Sequence, residues 1–408
     1  MDTSAQATPT ERAALVLTGG GARAAYQVGV LRAVSELWGT RAGNPFPIVC
    51  GTSAGAINAT ALAAHAHNFG HAVRRLSRIW RHFHVAHVYR ADVFSIARSA
   101  LTWASTLFMG WLLRRSPRSL LDNAPLRVLL REHVDFSGID RAIASGALYA
   151  ASVTCCGYAS GESLSFFQAH AEVSPWRRAS RVGVATSLNV DHLMASSAIP
   201  FVFPAVRIHR EFFGDGSMRQ HAPISPAIHL GASRILVVGA GRPQEESRRV
   251  SSDRYPPLAQ IAGHAMSSIF LDGLAIDVER LERINDTLGK FDEAQRAAAG
   301  VVLKPIETLV IAPSERLDFI AARHYGALPW PIRLLLRGVG GGGRGGSTVL
   351  SYLLFEEPYT RALMELGYHD AMAMREELVH FLRLEEDGAD ALADAEAEAS
   401  SQLTALSS

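Results

Sequence analysis

The sequence GTSAG at residues 51–55 follows the short apolar segment Pro47–Cys50 and leads into the alanine-rich segment Ala54–His65. The apolar segment predicts a buried strand, and the alanine-rich segment predicts a helix. A G-x-S-x-G sequence between a strand and a helix is typical of a nucleophile elbow, a tight turn that presents a serine at the start of the helix. That position favours developing negative charge. Ser53 is therefore a candidate nucleophile, and Gly51 and Gly55 are the residues that permit the turn.

A second glycine-rich motif lies upstream, directly after the apolar segment Ala13–Thr18. Side chains do not obstruct the backbone N–H groups of three consecutive glycines, so such a loop at the start of a helix can hold an oxyanion. Arg23 either adds positive charge to this loop or holds the loop in place. Two successive strand–loop–helix units predict the opening of an α/β sheet. The candidate oxyanion residues are Gly19, Gly20, Gly21, Ala22 and Arg23.

Two other fold classes share parts of these motifs. Residues 19–24 also fit the dinucleotide fingerprint G-x-G-x-x-G/A, but that fold places a carboxylate near the end of the second strand. Here the second strand ends in Cys-Gly-Thr-Ser at 50–53, which contains no acid. Common α/β-hydrolases place several strands before the elbow. The elbow here follows the second predicted strand, so neither class fits.

With these residues the chain resembles the patatin-like phospholipase family. Four motifs stand in the family's order: TGGGAR at 18–23, GTSAGA at 51–56, ASSAIP at 195–200 followed by Phe-Pro at 203–204, and DGS at 215–217. The resemblance runs from about Ala14 to Val238, and residues 355–359 and 367–371 are similar to bacterial members. Two departures occur: DGS replaces the usual DGG, and Ala24-Ala25 replaces a glycine that often follows the loop.

The resemblance implies a fold, an activity and a set of site residues. The fold is a three-layer α/β/α arrangement with a mostly parallel central sheet and a helical C-terminal part. The activity is hydrolysis of lipid acyl esters, of the phospholipase A or lysophospholipase type, through a seryl acyl-enzyme. Ser53 is the nucleophile, Asp215 is its base, and the loop at Gly19–Gly21 forms the oxyanion hole. No metal or other cofactor is implied.

Chemistry alone leaves the base open. A serine hydroxyl needs a base within hydrogen-bonding distance, and a partly desolvated carboxylate has a raised proton affinity. Asp215 follows Phe212-Phe213, which predicts a partly apolar environment, although Gly-Asp-Gly at 214–216 is also ordinary turn sequence. A Ser-His-Asp triad would instead need a downstream histidine, and His221, His229, His264, His324 and His369 are available.

Composition limits the classes of partner and compartment. The net charge of +1 offers no overall attraction to nucleic acid, so none is expected as a partner. The three cysteines predict buried thiols and a reducing compartment. Residues 1–12 lack the pattern of a signal peptide. The longest strongly apolar stretch, Leu101–Leu113, is shorter than the about 20 residues of a spanning helix. We expect a cytoplasmic protein without a transmembrane helix, and the scattered histidines predict no metal site.

Two apolar segments flanked by arginines are candidates for contact with a membrane surface. Leu101–Leu113 contains two tryptophans between basic ends, and Trp330–Arg337 has a similar composition. A buried helix explains each segment as well. A phospholipid or related acyl lipid is the expected substrate, with a peripheral membrane surface as a further partner. The alternatives are an esterase or thioesterase for soluble acyl substrates and a catalytically idle lipid-binding protein.

Four segments make up the predicted domain organisation. Residues 1–12 form a flexible N-terminus, and residues 13–312 form the acyl hydrolase domain. Residues 313–384 form a C-terminal helical part that contains a glycine-rich loop at 338–346. Residues 385–408 are rich in Ala, Asp, Glu and Ser, which predicts a disordered acidic tail.

Overall fold

The computed structural model describes residues 11–92, 94, 101–102, 119–241, 255, 257–338 and 346–384. Four predictions fall wholly or mostly outside these ranges: the flexible N-terminus, most of the apolar segment Leu101–Leu113, the glycine-rich loop and the acidic tail. These four remain predictions.

A ten-stranded sheet forms the centre of the fold, in the order β10-β9-β1-β2-β3-β4-β6-β5, with β8 pairing with β3 and β7 pairing with β8. Neighbours from β10 to β3 are parallel, as is the pair β4–β6. The mostly parallel central sheet that the family resemblance implies is confirmed. The strands are β1 Ala13–Leu17, β2 Ile48–Thr52, β3 Ala150–Gly157, β4 Ser163–Ala169, β5 Trp176–Arg178, β6 Arg181–Ala185, β7 Val206–Ile208, β8 Glu211–Asp215, β9 Arg234–Val238 and β10 Glu307–Ile311.

Helices cover both faces of the sheet. They are α1 Ala25–Trp38, α2 Ala54–Ala63, α3 Phe69–Arg81, α4 Val85–Val88, α5 Ala124–His133, α6 Ser137–Ala144, α7 Val190–Ser196, α8 Ser225–His229, α9 Leu258–Ser267, α10 Gly273–Leu288, α11 Glu293–Ala298, α12 Leu317–Arg323, α13 Trp330–Gly338, α14 Ser347–Leu353, α15 Glu357–Ala373 and α16 Arg375–Phe381. A π-helical turn, Ser268–Asp272, joins α9 to α10.

The buried strand β1 divides the core between the two faces of the sheet. Leu15 and Leu17 point into the larger core, which α1, α2 and α15 share, whereas Ala14 and Val16 point into a smaller core that includes α8. This alternation follows from the period of two in a strand. Two cores, one on each face, make the three layers expected of this fold class.

The C-terminal helices pack into the larger core. Helix α15 lies along α1, and the Tyr26 hydroxyl donates a hydrogen bond of 2.9 Å to Asp370. Helix α14 packs against the 3-10 turn Gly21–Ala24, which follows β1. The predicted helical C-terminal part is therefore present, and it contacts the glycine-rich loop that follows β1. The proposed domain boundary at residue 312 remains a prediction.

The loops that carry the candidate site residues lie at one edge of the sheet. Strands β1, β2, β9 and β10 run parallel, so their carboxyl ends lie at the same edge. The glycine-rich loop follows β1, the elbow follows β2, and the segment leading to α12 follows β10. Ligands of open α/β sheets bind at this edge.

Helix Leu258–Leu288 is long and apolar enough, by length and composition, to cross a membrane. It has 31 residues, a mean hydropathy of 1.3 in its most apolar window, and 17% of that window buried. No such helix is expected from the sequence, where the longest strongly apolar stretch, Leu101–Leu113, is too short to span a membrane. A single helix of this kind is weak support for a membrane span.

Candidate active site

Ser53 occupies a strained turn between β2 and α2. Its φ of 55° and ψ of −130° lie outside the regions that non-glycine residues favour. A Cβ at Gly55 would collide with the carbonyl oxygens of Leu17 and Thr18, and a Cβ at Gly51 would come within 2.5 Å of the Ala56 Cα. The two glycines therefore let the elbow pack against the end of β1, as the G-x-S-x-G sequence requires.

Asp215 lies beside Ser53, although 162 residues separate them along the chain. The Ser53 hydroxyl donates a hydrogen bond of 2.6 Å to Asp215 Oδ2, and both side chains are buried. The Ser217 N–H donates to the other carboxylate oxygen, Oδ1, at 2.9 Å. The structure thus brings together the two residues predicted as nucleophile and base, in a geometry that permits direct proton transfer.

Strand pairing determines the position of Asp215. The residue ends β8, where it pairs with Cys155 of β3 in an antiparallel register. The prediction of a turn at 214–216 is wrong in part: the strand continues through Asp215, and a 3-10 turn begins only at Gly216. Pairing with β3 overrides the local turn preference of Gly-Asp-Gly, because it satisfies the backbone polar groups.

Burial raises the pKa of Asp215 to about 6, although hydrogen bonds from Ser53 and Ser217 oppose the shift. Desolvation disfavours the charged carboxylate more strongly than these donors stabilise it. A carboxylate with a pKa near 6 is a better proton acceptor than an exposed aspartate and is still ionised at neutral pH. The environment therefore suits Asp215 to act as a general base.

Ser196 supports the elbow from behind and was not assigned a role from the sequence. Its hydroxyl oxygen accepts a hydrogen bond of 2.8 Å from the Ser53 N–H, and its hydroxyl donates one of 2.6 Å to the Thr154 carbonyl. It is completely buried. The hydroxyl thus ties the strained turn to β3. The motif at 195–200 was recognised in the sequence, and this contact gives its first serine a structural role.

The glycine-rich loop is fixed at its first residue. The Thr18 hydroxyl oxygen accepts a hydrogen bond of 3.0 Å from the Ala240 N–H, and the Thr18 carbonyl accepts one of 2.8 Å from the Gln27 amide. In a trans peptide the C=O and the N–H point in opposite directions. The N–H of Gly19 consequently points away from Gln27, and a Cβ on Gly19 would collide with the Ser217 hydroxyl, next to Asp215.

The far end of the loop is held by the C-terminal helices. Gly21 has a φ of +55°, which a glycine adopts without strain, and a Cβ there would collide with the Tyr352 carbonyl. Ala22 is buried behind the loop. The Arg23 side chain donates a hydrogen bond of 2.8 Å to Ser351 and stacks 4.0 Å from the Tyr352 ring centroid. Of the two roles open to Arg23, these contacts favour holding the loop.

A chain of buried amides connects the loop to the wall of the cavity beside it. The Asn58 amide donates to the Gln27 carbonyl oxygen at 3.0 Å, and the Trp80 indole N–H donates to the Asn58 carbonyl oxygen at 2.9 Å. All three side chains are buried. Because each polar group in the chain has a partner, the network is expected to be rigid. It links α1, α2 and α3 beneath the site.

A narrow cavity with almost entirely apolar walls extends from Ser53 between α2, α3 and α5. Ile57 and Ala61 follow Ser53 at helical spacing along one side, so the cavity reaches about 12 Å along α2. Its walls contain no acid. The shape and lining suit an extended hydrocarbon chain. The lining also includes Leu76, Trp80, Leu130, Val134, Phe203 and Phe355.

The five downstream histidines lie in other surroundings. His221 and His264 are exposed, and the rings of His229, His324 and His369 contact those of Trp176, Tyr359 and Tyr368, respectively. Among the described residues, no histidine makes a hydrogen bond to Ser53 or Asp215. The three cysteines, as predicted, are free and buried. Within the same part of the chain, no group of three His, Cys, Asp or Glu side chains could hold a metal ion.

Comparison with known proteins identifies a family. A family model described as patatin-like phospholipase matches residues 15–228, just over half of the chain. No curated protein matches the chain in sequence. Among solved structures, VipD from Legionella pneumophila has 13% sequence identity and a TM-score of 0.29, with 88% of this chain and 67% of that chain covered. ExoU of Pseudomonas aeruginosa, solved in complex with SpcU, has 15% identity and a TM-score of 0.25, with 88% and 71% covered.

Proposed function

The chain belongs to the patatin-like phospholipase family, and on that premise we propose that it cleaves acyl ester bonds of phospholipids through a Ser53–Asp215 dyad. The observation that carries the proposal is the 2.6 Å hydrogen bond from the Ser53 hydroxyl to a buried carboxylate. Membership of the family supports lipid hydrolysis in general. The dyad, the phospholipid substrate and the phospholipase A or lysophospholipase type are the proposed refinements.

Acylation begins when Asp215 accepts the hydroxyl proton of Ser53. The Ser53 oxygen attacks the ester carbonyl carbon, and the resulting oxyanion is stabilised by backbone N–H groups of residues 19–21. The tetrahedral intermediate then breaks its bond to the alcohol oxygen, which takes the proton from Asp215. The products of this half-reaction are the released alcohol, a lysophospholipid where a diacyl lipid is the substrate, and an acyl group esterified to Ser53.

Deacylation repeats the same steps with water. Asp215 removes a proton from a water molecule, whose oxygen attacks the acyl carbon and forms a second oxyanion. The ester bond to Ser53 breaks, and the serine oxygen recovers its proton from Asp215. The free fatty acid leaves. One water is consumed, and the enzyme returns to its starting protonation state without a metal or cofactor.

The apolar cavity supports a long acyl chain over a small soluble acyl group. Burial of each methylene contributes about 0.8 kcal/mol, so a cavity with hydrocarbon walls along about 12 Å of α2 favours long chains. The esterase for small soluble substrates is therefore the weaker candidate.

Incubation with mixed phospholipids tests the proposal, with the products identified by mass spectrometry. We expect free fatty acids and the matching lysophospholipids from the native chain, and neither from Ser53→Ala. Turnover of soluble thioesters without any phospholipid product would instead identify a thioesterase. Binding of lipid without any turnover would identify a catalytically idle lipid-binding protein.

A further inference from the structure

We propose that the exposed face of α13 is the surface by which this protein docks on an anionic lipid bilayer, which gives the proposed phospholipase access to its substrate. The face consists of Trp330, Arg333, Leu334 and Arg337, named here the α13 stripe. These residues follow each other at intervals of three, one and three, so they line one side of the helix. Only the purpose of docking, access to lipid substrate, rests on the proposed function; the binding itself does not depend on catalysis.

The stripe combines apolar side chains and positive charge on one exposed surface. Trp330 is 57% exposed and Leu334 is 62% exposed, whereas Ile332 and Leu336 on the opposite side are buried in the core. The helix contains no acidic residue. Within the described part of the chain, Arg333 and Arg337 form no ion pair. An exposed tryptophan and leucine that share one helix face with two arginines have the composition of a helix that lies in a membrane interface.

Along the chain, α13 stands between two segments that lead to the active site. The segment leading to α12 and α13 leaves the sheet at the carboxyl end of β10, the edge shared by the elbow and the glycine-rich loop. Downstream of α13 the chain continues into α14, which packs against the turn at Gly21–Ala24. Phe355, just beyond α14, lines the cavity. The helix is thus joined along the chain to the elements that hold the site.

The size and chemistry of the stripe favour a bilayer over a protein partner. One tryptophan and one leucine offer a few hundred Å² at most, whereas a stable protein interface buries about 800 Å² on each partner. A helix lying in a membrane interface instead needs only a shallow apolar face, with tryptophan at the headgroup level and arginines extending to phosphates. Each arginine near an anionic surface strengthens binding about fivefold.

Vesicle co-sedimentation with the full chain tests this surface. The Ser53→Ala chain is used throughout so that the lipids stay intact and the result does not depend on whether the enzyme cleaves them. Vesicles contain phosphatidylcholine alone or phosphatidylcholine with phosphatidylglycerol in a two-to-one ratio. We expect tighter binding to the anionic vesicles, weakened by salt because the charges are exposed.

Two variant pairs separate the apolar and the charged contributions. Trp330→Gln with Leu334→Gln should weaken binding to both kinds of vesicle at least tenfold, because the apolar anchor is lost. Arg333→Gln with Arg337→Gln should weaken binding to the anionic vesicles on the order of twentyfold and abolish their advantage. All four side chains lie on the surface of the helix, so unchanged melting temperatures are expected and serve as the check on folding.

A matched control replaces exposed apolar residues elsewhere. Val302 is 91% exposed and Leu303 is 60% exposed, both outside the stripe, and Val302→Gln with Leu303→Gln should bind vesicles like the Ser53→Ala chain. The proposal is overturned if both stripe pairs bind like that chain, or if Trp103→Asp with Trp111→Asp, the two tryptophans of the segment Leu101–Leu113, abolishes binding while the stripe is intact. It is also overturned if the stripe pairs alter only self-association and leave vesicle binding unchanged.

Discussion

Replacing Asp215 by asparagine is expected to lower kcat by on the order of a thousandfold or more, with little change in substrate binding. Asparagine keeps the size of the side chain, and with its oxygen accepting from the Ser217 N–H its amide can donate to the Ser53 hydroxyl oxygen. It cannot take a proton, so no base remains within reach of the nucleophile. Turnover of a soluble short-chain ester by Asp215→Asn, Ser53→Ala and the native chain measures the effect.

The same substitution should not destabilise the fold, which separates a chemical defect from a structural one. Burial raises the pKa of Asp215 to about 6, so the folded state prefers the protonated acid. The carboxyl therefore supports folding at low pH, and stability is lost as pH rises from about 4 through about 6. By linkage this loss is about 3 kcal/mol above pH 6. Asp215→Asn removes the buried charge, and its unfolding free energy at pH 8 should equal or exceed that of the native chain.

The pH dependence of catalysis provides a second test of Asp215 as the general base. A general base must be ionised, so kcat/KM should rise with pH around a midpoint of about 6 and level off above it. A histidine triad would respond differently to mutation, because the imidazole would be the base and the aspartate would only orient it. Alanine at His221, His229, His264, His324 or His369 should leave most activity intact. A folded histidine variant as inactive as Ser53→Ala would refute the dyad.

Replacing Ala61 by phenylalanine should change the preference for acyl-chain length on the order of a hundredfold. Ala61 lines the cavity about 12 Å from Ser53 along α2, so a ring there fills the far part of the cavity. Loss of contact with about four methylenes costs about 3 kcal/mol. We expect kcat/KM to fall for palmitoyl esters and to stay nearly constant for butyryl esters of the same alcohol.

A matched substitution controls for the added ring. Ala298 is exposed in the helix α11, away from the cavity, so Ala298→Phe should leave the ratio of palmitoyl to butyryl turnover unchanged. An equal loss for both esters in Ala61→Phe would mean that the ring disturbs the elbow. An unchanged ratio would show that the cavity does not hold the acyl chain.

The first two strands and the helices that follow them could be predicted because each is encoded by a short, continuous pattern of apolar residues. The apolar segments before the glycine-rich loop and before the elbow became β1 and β2, and both following segments became helices. These strands are buried on both faces, so they read as continuous apolar runs. The requirement for glycine at 51 and 55 was equally visible, since it follows from the geometry of one turn.

Contacts between distant segments were not visible in the same way. No spacing rule relates Ser53 to Asp215, and only the family resemblance linked them before the antiparallel pairing of β8 with β3 provided a physical reason. The role of Arg23 was left open because its partner, Ser351, lies 328 residues away. The cavity combines residues from several helices, each of which alone looks like an ordinary core helix. Such features depend on tertiary packing, which local periodicity does not encode.

Covalent labelling tests the central assignment most directly. A fluorophosphonate probe reacts with an activated serine, and peptide mass spectrometry of the labelled full chain identifies the modified residue. The account predicts one adduct on Ser53 of the native chain, and none on Ser53→Ala. An adduct on a different serine, or no adduct on the folded native chain, would contradict the assignment of Ser53 as the nucleophile.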